Sequence, residues 1–178
     1  MNARLIAVLA CSVACASAEA QSPLVPIPFR TYVAINPLGI PFDIVSGEFE
    51  TAIAPGITVG GLASYTSVDD DRFTTFDAKV RYYPGEVVLQ GFSLGASLGH
   101  TRYAHAENAP SGEVIHPEAS FPTLGLLVDY NWMLGARRRF IIGTGVSAKR
   151  VLASAEDRAR VDIGRAYGTA RFVIGIAF

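Results

Sequence analysis

Residues Thr74-Thr75-Phe76-Asp77-Ala78-Lys79-Val80-Arg81-Tyr82-Tyr83 alternate without a break. Phe76, Ala78, Val80 and Tyr82 share one parity, and Asp77, Lys79 and Arg81 share the other. Successive side chains of an extended strand point to opposite faces. The stretch therefore carries an apolar row on one face and a charged row on the other. A helix would scatter both rows around its circumference, so period two makes this segment a strand.

The same period recurs in both directions. Val45, Phe49 and Ile53 alternate with Glu48, Glu50 and Ala52. Phe92, Leu94, Ala96 and Leu98 alternate with Ser93, Gly95, Ser97 and Gly99. Leu124, Leu126, Val128, Tyr130 and Trp132 alternate with Gly125, Leu127, Asp129 and Asn131. Ile142, Val146 and Ala148 alternate with Gly143, Gly145, Ser147 and Lys149, and Phe172, Ile174, Ile176 and Phe178 alternate with Arg171, Val173, Gly175 and Ala177. With residues 57–66 and a shorter first segment at 30–36, this predicts eight strands. No helical period stands out beyond the first residues. Pro37, Pro41, Pro55, Pro84, Pro110 and Pro117 fall between strands and Pro122 at a strand start, where no ladder hydrogen bond is lost.

Composition narrows the class. Half of the 178 residues are hydrophobic and 17% are charged, against about 25% charged in soluble domains. The net charge of −1 and the lack of a basic stripe speak against nucleic acid. The only long apolar run is residues 5–16, preceded by Arg4 and followed by Ala18-Glu19-Ala20. That pattern reads as a cleavable signal peptide over 1–20, leaving one β domain over 21–178. A lipoprotein signal ending at Cys11 is the alternative, with a very short apolar run. Cys11 and Cys15 both lie in the leader, so the exported domain has no thiol for catalysis or metal binding. No cofactor is implied.

Alternation does not say which face is inside. A soluble lipocalin-like, small-ligand-binding barrel would bury the apolar face. Four features favour the inverse. The Ser93-Gly95-Ser97-Gly99 face suits a crowded lumen. Charge is low for a solvated surface. Aromatics gather at strand ends: Tyr82, Tyr83, Phe92, Trp132, Phe140 and Phe178 by connections that look short, and Tyr65, Phe73, Tyr103 and Phe121 by those that look long or polar. The last strand ends in phenylalanine.

On these residues the chain resembles the small eight-stranded outer-membrane barrels of the OmpA and OmpX type. The resemblance spans about residues 30–178 and is most specific at Phe172-Val173-Ile174-Gly175-Ile176-Ala177-Phe178. It implies an all-β, antiparallel, up-and-down transmembrane barrel in a bacterial outer membrane, with lipid and lipopolysaccharide as surroundings. It also implies that Phe172, Ile174, Ile176 and Phe178 form the signal read by the outer-membrane assembly machinery. Ile176 stands where the family usually has an aromatic residue. Nothing resembles the peptidoglycan-binding domain of the larger relatives.

Expectations for function follow. An eight-stranded barrel is just wide enough for side chains to fill it. The inward charges Glu48, Glu50, Asp77 and Asp129 balance Lys79, Arg81, Lys149 and Arg171, which suggests a closed plug in place of a pore. The role is expected to be non-enzymatic, with any binding through the outer loops. Neither the loop over 105–120 nor any other stretch names a partner. The third reading, after the soluble ligand-binding barrel, is a lipid A-modifying enzyme. His100 lies near the outer end of a strand, but His100-Thr101-Arg102 departs from the His-x-Ser pattern of lipid A deacylases. Asp69-Asp70-Asp71 reads as a solvated turn, or as a site for a divalent cation. Arg137-Arg138-Arg139 forms a basic turn suited to anionic headgroups.

Overall fold

The computed structural model describes residues 29–68, 71–85, 87–105, 107–108, 114–115, 118–160 and 164–178. The leader, Asp69, Asp70 and His116 lie outside the described residues.

The strands are β1 (Thr31–Ile35), β2 (Ile44–Ala54), β3 (Ile57–Val68), β4 (Asp71–Tyr82), β5 (Gly91–His105), β6 (Glu107–Asn108), β7 (Val114–Ile115), β8 (Glu118–Leu134), β9 (Phe140–Val151) and β10 (Ala166–Ala177). Eight of them close a barrel in the order β1-β10-β9-β8-β5-β4-β3-β2. Every neighbouring pair is antiparallel. Strands consecutive along the chain are therefore neighbours in the wall, the up-and-down arrangement that short connections produce. The ribbon β6–β7 is inserted between β5 and β8.

One end of the barrel, the turn end, carries the connections at 55–56, 83–90 and 135–139. The other, the loop end, carries those at 36–43, 69–70, 106–117 and 152–165. Gly56 and Gly135 adopt positive φ in the turns that reverse the chain at the turn end.

Several local details depart from the sequence reading. The stretch 68–72, which reads from its composition as one of the longer or more polar connections, is mostly strand, because β3 and β4 stay paired up to Val68 and Asp71. Ser67 and Arg72 continue the ladder with polar side chains, so loss of hydrophobicity there does not mark its end. β5 and β8 run well past the expected 92–99 and 123–132 for the same reason.

A short helix, α1 (Ala155–Arg160), lies in the loop after β9, where no helical element was expected. Ser154 caps it, its hydroxyl accepting from the Asp157 amide at 3.0 Å and donating to the Asp157 carboxylate at 2.7 Å. A serine followed three residues later by an acid is an N-terminal helix signal. A six-residue helix is too short for periodicity to reveal.

Pro122 sits inside β8, not at its start. The carbonyl of Pro122 accepts from the Leu152 amide, one residue past the end of β9. The proline nitrogen points to that same flank, just past the last residue of β9, so the missing N–H forgoes only a bond at the end of the ladder. Accordingly, Pro122→Ala is expected to change stability by less than about 1 kcal/mol. Leu126→Pro, on the same flank but opposite Ala148, is expected to lose at least about 1–3 kcal/mol by stranding a carbonyl. Urea titration of the refolded barrel measures both.

Candidate functional site in the barrel interior

Strand parity selects the interior. β2 turns Glu48 and Glu50 inward, and β4 turns in Asp77, Lys79 and Arg81. β8 supplies Asp129 and Asn131, β9 Lys149, and β10 Arg171. Every one of these is buried except Arg171, which is half-buried. The opposite parity points out: Leu126 is 70% exposed, Val146 62%, Phe76 60% and Leu98 60%.

Glu48 and Glu50 are the hubs of the interior. Lys79 Nζ donates to Glu48 Oε2 at 2.7 Å. Arg171 approaches the same carboxylate with Nε at 3.0 Å from Oε1, and its Nη2 also holds Oε1. Glu50 Oε1 accepts from Thr58 at 2.5 Å and from the Tyr83 hydroxyl at 2.8 Å, while Oε2 is held by Arg81 Nη1. The Tyr32 hydroxyl lies between the hubs, 2.6 Å from Glu48 and 2.8 Å from Glu50. Arg81 reaches across the lumen to donate from Nε to Asp129 Oδ2 at 2.7 Å. Asn131 links Arg171 Nη1, at 3.0 Å, to the Tyr83 hydroxyl, at 3.2 Å. Lys149 and Asp77 form a separate pair nearer the loop end. Each buried charge thus has an opposite charge in contact, the condition under which burial is tolerated.

Glycines make room for these groups. A Cβ on Gly145 would fall on the Asp129 carboxylate and 2.8 Å from the Val128 carbonyl oxygen. One on Gly143 would meet Arg171 and Asn131, and one on Gly99 would meet Asp77 and Thr123. The small-residue face of β5 and β9 is thus the space into which charged and polar side chains of the neighbouring strands extend.

The interior is layered. Toward the turn end, Tyr32, Ala34, Leu89, Met133, Ile141, Val173 and Ala177 form a buried apolar cluster. Leu89 comes from the 83–90 connection, which folds into the barrel mouth and leaves the residue fully buried. The charge network lies above it. Toward the loop end the described residues enclose a cavity of about 660 Å³ that runs from Asp77, Lys79 and Lys149 up to Asn36, Gly164 and Tyr167. A second buried cluster, Tyr103, Phe121 and Val151, sits at that end.

The aromatic expectation needs correction. Tyr82, Phe92, Trp132, Phe140 and Phe178 are exposed on the wall near the turn end, and Tyr65 near the loop end. Tyr83, Tyr103 and Phe121 are buried inside, and Phe73 packs against Tyr103 with ring centroids 4.7 Å apart. Phe73 shares parity with Asp77 and Lys79, so the strand period dictates its inward position.

The four assembly-signal residues lie on β10 or at its end, with Ile174, Ile176 and Phe178 exposed on the wall. His100 is also on the outer wall, its Nε2 2.5 Å from Ser120 Oγ on β8. The sequence pattern missed this contact because the serine comes from the neighbouring strand. The nearby Glu118 carboxylate is bound by Arg102 at 2.5 Å, and among the described residues no carboxylate is bonded to His100. In the basic turn, Arg139 stacks 5.5 Å over Phe29 and donates to the Ala177 carbonyl oxygen, while Arg137 is exposed.

No protein-family model matches the chain, and no curated protein matches it. Among solved structures it is similar to the N-terminal β-barrel domain of Pseudomonas aeruginosa OprF. The identity is 10% over 83% of this chain and 96% of that one, with a TM-score of 0.51. It also aligns with the Yersinia pestis outer membrane protein Ail, determined in a phospholipid bilayer nanodisc. There the identity is 15% over 84% of this chain and 99% of that one, with a TM-score of 0.48. The likeness to the OprF domain shows a shared closed eight-stranded barrel fold.

Two substitutions test the interior. Arg81→Ala strands Glu50 and Asp129 together and is expected to cost about 3–5 kcal/mol of unfolding free energy. Gly145→Ala is expected to cost about 1–3 kcal/mol by overpacking against Asp129. Denaturant titration in detergent micelles reads both, and an unchanged midpoint for Arg81→Ala would remove the network from the stability account.

Proposed function

We propose that this chain is an outer-membrane β-barrel with a plugged lumen and a non-enzymatic, structural or surface-interaction role. The single observation that carries this reading is the inverted burial. Large apolar side chains cover the outer wall, Leu126 and Val146 among them, whereas Glu48 and Lys79 are 5% exposed. Soluble monomers rarely expose contiguous apolar patches above a few hundred Å². A hydrocarbon solvent reverses the preference, and a closed barrel leaves no strand edge unpaired within it. A soluble ligand-binding barrel requires Leu126, Val128 and Ile174 inside and Glu48 and Lys79 in water, the opposite of this burial.

Other features support the same reading. Barrel strands other than β1 have 11–17 residues, enough to cross a bilayer at a tilt. Tyr82, Phe92, Trp132 and Phe140 form an exposed aromatic band near the turn end, as expected of an interface. That end is then periplasmic and the loop end extracellular. Lipid and lipopolysaccharide surround the wall, and the exposed row of Ile174, Ile176 and Phe178 is available to the assembly machinery. The apolar cluster and charge network together form the plug. Surface binding belongs to the connections at the loop end, since loops on a rigid scaffold commonly carry function.

Several outcomes are expected. The unboiled protein from an outer-membrane fraction migrates differently from the boiled protein on an SDS gel, and recovery in the soluble periplasm would overturn the proposal. Planar bilayers containing the barrel show no steady large current. Phe178→Ala lowers the amount of assembled barrel in cells but leaves refolding into detergent micelles intact. Equal loss in both settings would make Phe178 merely structural.

A further inference from the structure

Above the plug, the described residues form a cup whose lining is rich in hydroxyls, interleaved with apolar side chains such as Leu62, Phe73 and Leu127. Ser64, Thr66, Thr75, Thr101, Ser147 and Thr169 present hydroxyls to it from five strands. They meet in cross-strand pairs, Thr75 with Thr101 at 3.1 Å and Ser147 with Thr169 at 2.5 Å. A hydroxyl offers one donor and two acceptor lone pairs, so each pair retains hydrogen-bonding capacity for a third group. Phe121 and Tyr167 supply aromatic surface near the mouth. At the floor, Asp77 is buried, its Oδ2 holding Lys149 and its Oδ1 packed against Gly99.

The charge state of the floor decides what can enter. Lys79, Lys149 and Arg171 line the cup, but each is already in contact with a carboxylate. The acids and bases of the interior balance, so the floor offers an anion no excess positive charge, and drawing a cation away would strand a buried acid. A wholly apolar ligand would desolvate the wall hydroxyls without replacing their remaining hydrogen bonds. A neutral molecule bearing several hydroxyls satisfies both constraints. It can exchange hydrogen bonds with the wall hydroxyls and lay a C–H face on Tyr167 or on the apolar side chains between them. The volume of about 660 Å³ falls within the range of small-molecule sites.

We propose that the loop-end cup binds a neutral polyhydroxylated small molecule of sugar size. The inference rests on the outer-membrane reading only for the direction of entry, from outside the cell. The binding chemistry requires the barrel alone.

The test is a titration of the folded protein in detergent micelles with glucose and maltose, followed by amide chemical shifts. The controls are inorganic phosphate and hexanol. Saturable shifts in the millimolar range at Thr101, Ser147 and Thr169 are expected with at least one sugar. Tyr167→Ala and Thr169→Val are each expected to weaken that binding about tenfold, with the remaining spectrum unchanged as proof of folding. The proposal is overturned by any of three results: no saturable shift with either sugar, shifts indifferent to both variants, or preferential saturation by phosphate or hexanol. If the folded barrel instead proves soluble without detergent, the outer-membrane reading fails and the sugar titration proceeds in water.

Discussion

Period two in a closed barrel forces each strand to commit one whole face inward and the other outward. A strand such as β4, with Phe76, Ala78, Val80 and Tyr82 on one parity and Asp77, Lys79 and Arg81 on the other, permits no compromise. The charges can go inside only if acids and bases from different strands meet there. The interior meets that demand: Glu48 faces Lys79 and Arg171, Glu50 faces Arg81, and Asp77 faces Lys149. Breaking one contact leaves its partner buried and uncompensated, so the network holds the face choice of several strands together. The apolar wall follows from the same parity.

Space is the second half of the constraint. Inward charged side chains fit a narrow lumen only where neighbouring inward positions carry little bulk. Gly99, Gly143 and Gly145 stand where any Cβ would collide with Asp77, Arg171 or Asp129. Tyr32 and Tyr83 extend the network with hydroxyls while their rings seal the lower lumen. The result is graded along the axis, from an apolar base through an ionic layer to a hydroxyl-lined cup.

Much of this was legible before the structure. Strand number, antiparallel order and the identity of the inward charges follow from parity, which is a strong local signal repeated along the chain. Pairing partners were not legible, because which acid meets which base depends on strand stagger across the lumen. Tyr83, Tyr103 and Phe121 were assigned to interfaces by their place near strand ends, although parity turns them inward. The extensions of β5 and β8 were hidden by polar residues that leave the membrane-like pattern while keeping the ladder. The cup itself arises from residues such as Ser64 and Thr169, distant in sequence and unremarkable in type, so no local pattern announces it. The contact of His100 with Ser120 is of the same kind.

The most direct measurement of the apolar-out, charge-in arrangement is site-directed spin labelling along β8. Residues 21–178 contain no cysteine, since Cys11 and Cys15 are the two in the sequence. Single labels at 124 to 132 in bilayer-reconstituted protein report collision with oxygen, which partitions into lipid, and with a water-soluble nickel chelate. Outward apolar parity requires high oxygen accessibility at 124, 126 and 128, and low accessibility to both reagents at 125, 127 and 129. High chelate accessibility at 126 and 128, or oxygen maxima at the odd positions, would contradict it.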